Sequence, residues 1–161
     1  MLYFEDRQPF ATGSTTYTYQ PISENETTPR ILLKVSFEGI ITTAAVDTGS
    51  PLVILNPQIA EALQLNLSAG ILKKDVWLRR DKLDGYLHRL SLDFTAEEGQ
   101  PLTVEATVFV PELEPYQERG DFPSIIGLNT CLERLRFAID PSQDKFYFGA
   151  LSGKIGQSSS Y

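Results

Sequence analysis

The segment from Arg30 to Ser50 constrains the fold more than any other. Arg30-Ile31-Leu32-Leu33-Lys34-Val35-Ser36-Phe37 is apolar and partly β-branched, as a strand requires. Glu38-Gly39 supplies a tight turn, and Ile40 to Val46 returns as a second strand. That strand runs without a spacer into Asp47-Thr48-Gly49-Ser50. An apolar hairpin delivering an acidic turn commits the chain to a β architecture and puts one carboxylate at the tip of a loop.

The rest of the chain continues in kind. Pro51-Leu52-Val53-Ile54-Leu55 reads as a buried strand. Asn56 is a good helix N-cap and Pro57 a good first helical residue, so a short helix is expected through Gln64, with Ile59 and Leu63 on one face. Tyr86 to Phe94 and Leu102 to Val110 alternate in strand fashion, with Glu98-Gly99-Gln100-Pro101 as a turn between them. Leu83-Asp84-Gly85-Tyr86 reads as a hairpin turn. Ser124-Ile125-Ile126-Gly127 reads as a short strand ending in glycine, with a short helix after it. Phe137–Asp140 and Lys145–Gly149 read as two further strands around Pro141-Ser142. Residues 1–29 are polar and are expected to form an arm, with Thr15–Tyr19 adding an outer strand; residues 151–161 are expected to be a mobile tail. The main domain then spans 30–150.

Composition narrows the function. The chain has 161 residues, 42% apolar and 22% charged, as a soluble globular domain has. A formal net charge of −7 argues against nucleic acid as the main partner. No apolar stretch approaches the ~20 residues that cross a bilayer. The start of the chain has no basic segment followed by an apolar run, and Cys131 is the single cysteine, so a reducing, cytoplasmic location is expected. One His and one Cys cannot build a zinc site alone, and no metal or other cofactor is expected. His88 and Cys131 are read as structural. The basic residues from Lys73 to Arg89 are read as a solvated surface, with a preference for acidic substrates as the alternative. Trp77 is read either as a hairpin-stabilising residue or as one that touches a ligand.

Asp47 on its own could be a plain turn residue with an Asx hydrogen bond. Two motifs together say more. Asp47-Thr48-Gly49-Ser50 after an apolar strand, and Ile125-Ile126-Gly127-Leu128-Asn129-Thr130-Cys131-Leu132 much later, resemble the two hallmarks of the retropepsin-like aspartic proteases, cellular and bacterial branch. The resemblance covers residues 30 to 150. It implies a mostly β fold: a closed β-barrel lobe with one or two short helices, carrying one half of an active site per chain. It implies that Asp47 is catalytic, that Thr48 links the two loops across a dimer axis, and that Gly49 contacts substrate backbone, with Ser50 completing the loop. Ile125, Ile126, Gly127 and Asn129 would support that loop from beneath. A covering hairpin, the flap, would carry Trp77, Gly85 and Tyr86, with Gly85 at its tip. Leu128 stands where the retroviral members carry Arg, and Gly85 is the only glycine between Ile71 and Leu92.

No other Asp in the chain precedes Thr-Gly or Ser-Gly. The chemistry that the resemblance implies needs two carboxylates sharing one proton, so the second must come from Asp47 of another copy. The expected function is a homodimeric aspartic endopeptidase acting on polypeptide substrates. The alternative is a catalytically inactive dimeric module that binds peptide or protein on the same fold; a β-rich ligand-binding domain of another kind is a third.

Overall fold

The computed structural model describes residues 2–22, 26–78, 81–113 and 123–151. The expected tail after Leu151 lies outside them. Strand β1 (Gly13–Thr16) and strand β2 (Thr18–Gln20) come first, followed by the hairpin of β3 (Arg30–Phe37) and β4 (Ile40–Val46). Then come β5 (Val53–Ile54) and the helix α1 (Pro57–Ala62). Asn56 caps α1 as expected, its side chain accepting from the Gln58 amide at 2.7 Å. The helix ends before Gln64, which adopts a φ of 54°.

Two long strands follow, β6 (Ile71–Leu78) and β7 (Asp81–Phe94). Short β8 (Glu98–Gly99) and long β9 (Leu102–Pro111) come next, then β10 (Ser124–Ile126), β11 (Leu135–Asp140) and β12 (Lys145–Ala150). The helix expected after Gly127 is reduced to one 3₁₀ turn, Leu132–Arg134, because β11 starts at the very next residue.

The larger sheet runs β2-β3-β4-β10-β5-β9-β7-β6, and β3 also pairs with β7. Following the pairings from β3 through β4, β10, β5, β9 and β7 therefore leads back to β3, so this part of the sheet closes on itself. Closure hides strand edges and encloses a core. Leu33, Val35, Phe37, Leu92, Val108 and Ile126 fill it. The turn residue Glu38 ties the hairpin to β7 by accepting from the Ser91 amide at 2.6 Å.

The smaller sheet runs β11-β12-β1-β8 and packs on the larger one through aromatic rings. Phe94 of β7 lies parallel to Phe146 of β12, with centroids 6.2 Å apart. Such pairs add about 1 kcal/mol beyond the area they bury. Within the segment expected as a polar arm, Gly13–Thr16 and Thr18–Gln20 form strands of this architecture. Strand β2 is an outer strand of the larger sheet, as the composition of Thr15–Tyr19 suggests. Strand β1, however, is an inner strand, flanked by β12 and β8, with Ser14 and Thr15 buried. The polar composition misleads because small hydroxyl residues fit between two close-packed strands as readily as they face water. Among the described residues, no helix is long and apolar enough to cross a membrane.

Candidate active site

Strand β10 organises the site. It is three residues long and fully buried. It lies parallel to β4 on one side, with Ile125 beside Ala45 and Ile126 beside Val46, and antiparallel to β5 on the other, with Ile125 beside Ile54. The strand that enters the acidic turn and the strand that leaves it are thus clamped on one short apolar element.

Backbone bonds then fix the turn. The Asp47 amide donates to the Ile126 carbonyl at 3.1 Å, the Ser50 amide to the Asp47 carbonyl at 3.1 Å, and the Leu128 amide to the Ser50 carbonyl at 2.7 Å. Gly127 sits so close beneath the turn that an added Cβ would lie 2.0 Å from the Leu52 carbonyl oxygen and 2.7 Å from that of Ser50. Only a residue without a side chain fits there. The Ser50 hydroxyl donates to the Leu52 carbonyl at 2.8 Å.

Within this frame the Asp47 carboxylate is half-buried. Its Oδ1 accepts from the Gly49 amide at 2.9 Å. Its Oδ2 lies 3.7 Å from Nη1 of Arg30. Thr48 and Gly49 are exposed at the loop tip. Ile125, Ile126 and Gly127 lie buried beneath the loop. Asn129 is exposed, and the side chain that reaches the loop region from this element is its neighbour: Thr130 Oγ1 accepts from the Val53 amide at 3.0 Å.

A cleft of about 510 Å³ opens beside the carboxylate. Asp47, Gly49, Leu52 and Ile125 line its floor, and residues 73–78 of β6 line its roof. Volumes of this size suit small ligands and peptide segments. Trp77 lies in the roof with 66% of its surface exposed, and Lys82 Nζ sits 5.2 Å from its ring centroid.

The expected hairpin therefore exists as β6 and β7, but its turn is not at Gly85. Gly85 lies inside β7, paired with Lys73 on one side and Pro111 on the other. An added Cβ there would meet the Val110 carbonyl at 2.3 Å and the Phe109 ring at 2.7 Å, so the glycine answers close packing and not a turn. Asp84, which made the pair look like a turn, accepts from the Asp75 amide at 3.0 Å across a bulge. The connection between the strands, at 79–80, lies outside the described residues. Tyr86 pairs with Val110 and Leu72 and does not line the cleft.

Arg30 had no place among the expected site residues, yet the hairpin register held the signal. Leu32 pairs with Ala45, and the same register carried two residues on sets Arg30 opposite Asp47. Other nucleophile chemistry finds little here. Burial pushes the Cys131 thiol up to about 12, so it is no thiolate near neutral pH. Among the described residues, His, Cys, Asp and Glu side chains do not gather in a group of three or more that could hold a metal ion.

Comparison with solved structures agrees with this geometry. The crystal structure of a retropepsin-like aspartic protease from Rickettsia conorii superposes with a TM-score of 0.53, at 19% identity, over 86% of this chain and 94% of that one. The fold is retropepsin-like. No protein-family profile and no curated protein matches the chain.

Proposed function

We propose that this chain is one half of a homodimeric aspartic endopeptidase, with Asp47 as its catalytic residue. The observation that carries the reading is the placing of Asp47: a single carboxylate on a backbone-braced loop, at the lip of a cleft, under a hairpin. One carboxylate cannot be both base and acid, and Asp47 from a second copy supplies the other. Two carboxylates a few Å apart resist double ionisation and share a proton.

The ionised member takes a proton from a water molecule held between them as its oxygen attacks the peptide carbonyl carbon. The protonated member gives its proton to the carbonyl oxygen. The tetrahedral product collapses with proton transfer to nitrogen and loss of the C–N bond. Thr48, exposed beside Asp47, joins the two loops across the axis, and Gly49 offers a side-chain-free surface to the substrate backbone. The β6–β7 hairpin acts as the cover, with Trp77 as its contact residue. A reducing, cytoplasmic setting suits the free, buried Cys131.

One observation favours the other reading, a non-catalytic peptide-binding dimer: the Arg30 guanidinium stands beside Asp47. Arg30 is exposed and Asp47 half-buried, and such a partly solvated pair contributes about 1 kcal/mol, so it yields readily to a second carboxylate. Incubation of the purified protein with an unstructured peptide mixture, with and without a statine-type inhibitor, separates the two. The endopeptidase reading expects inhibitor-sensitive cleavage; peptide binding without cleavage would leave the alternative.

A further inference from the structure

The roof of the cleft carries a charge pattern that nothing in the catalytic chemistry requires. In a regular strand, neighbouring side chains point to opposite faces. In β6 that alternation is broken. Lys73 pairs with Gly85 and Val76 with Leu83, so Lys74 and Asp75 together stand against Asp84 alone. Asp75 takes a φ of 55° at this bulge. Bulges re-aim side chains. Lys73, Lys74, Asp75 and Trp77 are among the β6 residues that line the cleft.

The charges there do not cancel. Asp75 is engaged by Lys82, whose Nζ lies 3.3 Å from its Oδ1. Asp47 is partnered by Arg30, whose Nη1 lies 3.7 Å from its Oδ2. Among the described residues, Lys73 and Lys74 have no carboxylate within ion-pairing distance. Two exposed lysines without an ion-pair partner among the described residues thus line the cleft in a chain whose net charge is −7. Beside them an exposed indole offers a large apolar face.

We infer that the cleft selects acidic peptides: an extended segment with a Glu or Asp side chain set against Lys73 and Lys74 and a large apolar side chain on Trp77. This rests on reading the cleft as the peptide site. The lysines act by attraction at the roof and take no part in bond breaking, so the preference is one of affinity and encounter.

Trp77 is the single tryptophan of the chain, and its fluorescence reports occupation of the cleft without any need for cleavage. The test titrates the full-length protein with short unstructured peptides that carry one large apolar residue next to Glu, Gln or Lys. At low salt the Glu peptide is expected to bind roughly two- to fivefold tighter than the Gln peptide, the worth of a solvated ion pair, and the Lys peptide weakest of the three. The preference should shrink as salt is raised. It should vanish in the K73Q/K74Q double variant, whose two substituted side chains are exposed and leave the fold intact. Equal affinities, a ranking untouched by K73Q/K74Q, or no response of Trp77 to any peptide would overturn the inference. A charge preference without cleavage supports it while refuting the endopeptidase reading. Cleavage of all three peptides at equal kcat/KM refutes it alone.

Discussion

The floor and the roof of the cleft are built on opposite principles. In the floor, main chain holds main chain: β10 clamps β4 and β5, and the acidic turn is fixed by amide–carbonyl bonds to Ile126, Ser50 and Leu128. Side chains matter there mostly by absence, as at Gly127. In the roof, β6 is the last strand of its sheet, and five of its first five residues, Ile71 to Asp75, are exposed. Its charged contacts are solvated, Lys82 with Asp75 and Lys82 over Trp77, and only its end, at Val76 and Leu78, packs on the core. On the proposed function, the carboxylate must be placed to a fraction of an ångström, which packed backbone can do, and the cover must move to admit polypeptide, which few buried contacts permit.

Substitutions should divide along that line. Gly127→Ala is expected to have the largest effect. Its Cβ would collide with carbonyl oxygens that are themselves hydrogen-bonded, costing about 3 kcal/mol or more in chemical denaturation. Stability equal to wild type would show that the floor is pliable. Gly85→Val comes next, at about 2 kcal/mol, through its clash with Phe109 and the Val110 carbonyl. Loss of turnover with stability unchanged would instead restore Gly85 to the moving part of the cover.

Thr130→Val should cost about 1 kcal/mol by leaving the Val53 amide without its acceptor. Trp77→Ala, at an exposed position in the roof, should change the melting temperature little, within about 0.5 kcal/mol, while weakening peptide affinity. A large loss of stability there would mean the roof is structural.

The small sheet offers a reference that belongs to neither surface. The ammonium of Lys145, hydrogen-bonded to Glu98, holds the Glu98 carboxyl below its ordinary value near 4.5. A depressed folded-state value contributes stability above the unfolded value and loses it as pH falls through the folded one. The melting-temperature advantage of wild type over Glu98→Gln should therefore be small near neutrality and disappear in acid. An advantage that grows on acidification would contradict the assignment.

How far the sequence could be read follows the same division. The β3–β4 hairpin and the Asp47 turn are legible because β-branched runs and a two-residue turn specify register without help from elsewhere. The element around Ile125-Ile126-Gly127 is legible as a pattern, but its reason, a backbone approach of 2.0 Å to Leu52, is a tertiary fact. The roof resists reading. Asp84-Gly85 has the composition of a turn, yet the glycine serves Phe109 and the aspartate serves a bulge. The bulge between Lys73 and Val76 breaks the alternation on which strand reading relies. The bond of Thr130 to the Val53 amide, one residue on from Asn129, is a tertiary contact that pattern matching does not resolve.

On the proposed function, two chains make one site, each giving Asp47. Asp47→Asn keeps a side-chain oxygen for the Gly49 amide and is expected to fold and pair as wild type does. The most direct measurement mixes the two proteins at constant total concentration, lets subunits exchange, and follows turnover of an unstructured peptide. Mixed dimers hold one carboxylate and should be inactive, so turnover is predicted to fall as the square of the wild-type fraction, reaching zero for the pure variant. A fall linear in that fraction would mean that each chain works alone, and turnover by pure Asp47→Asn would mean that Asp47 is not the catalytic carboxylate.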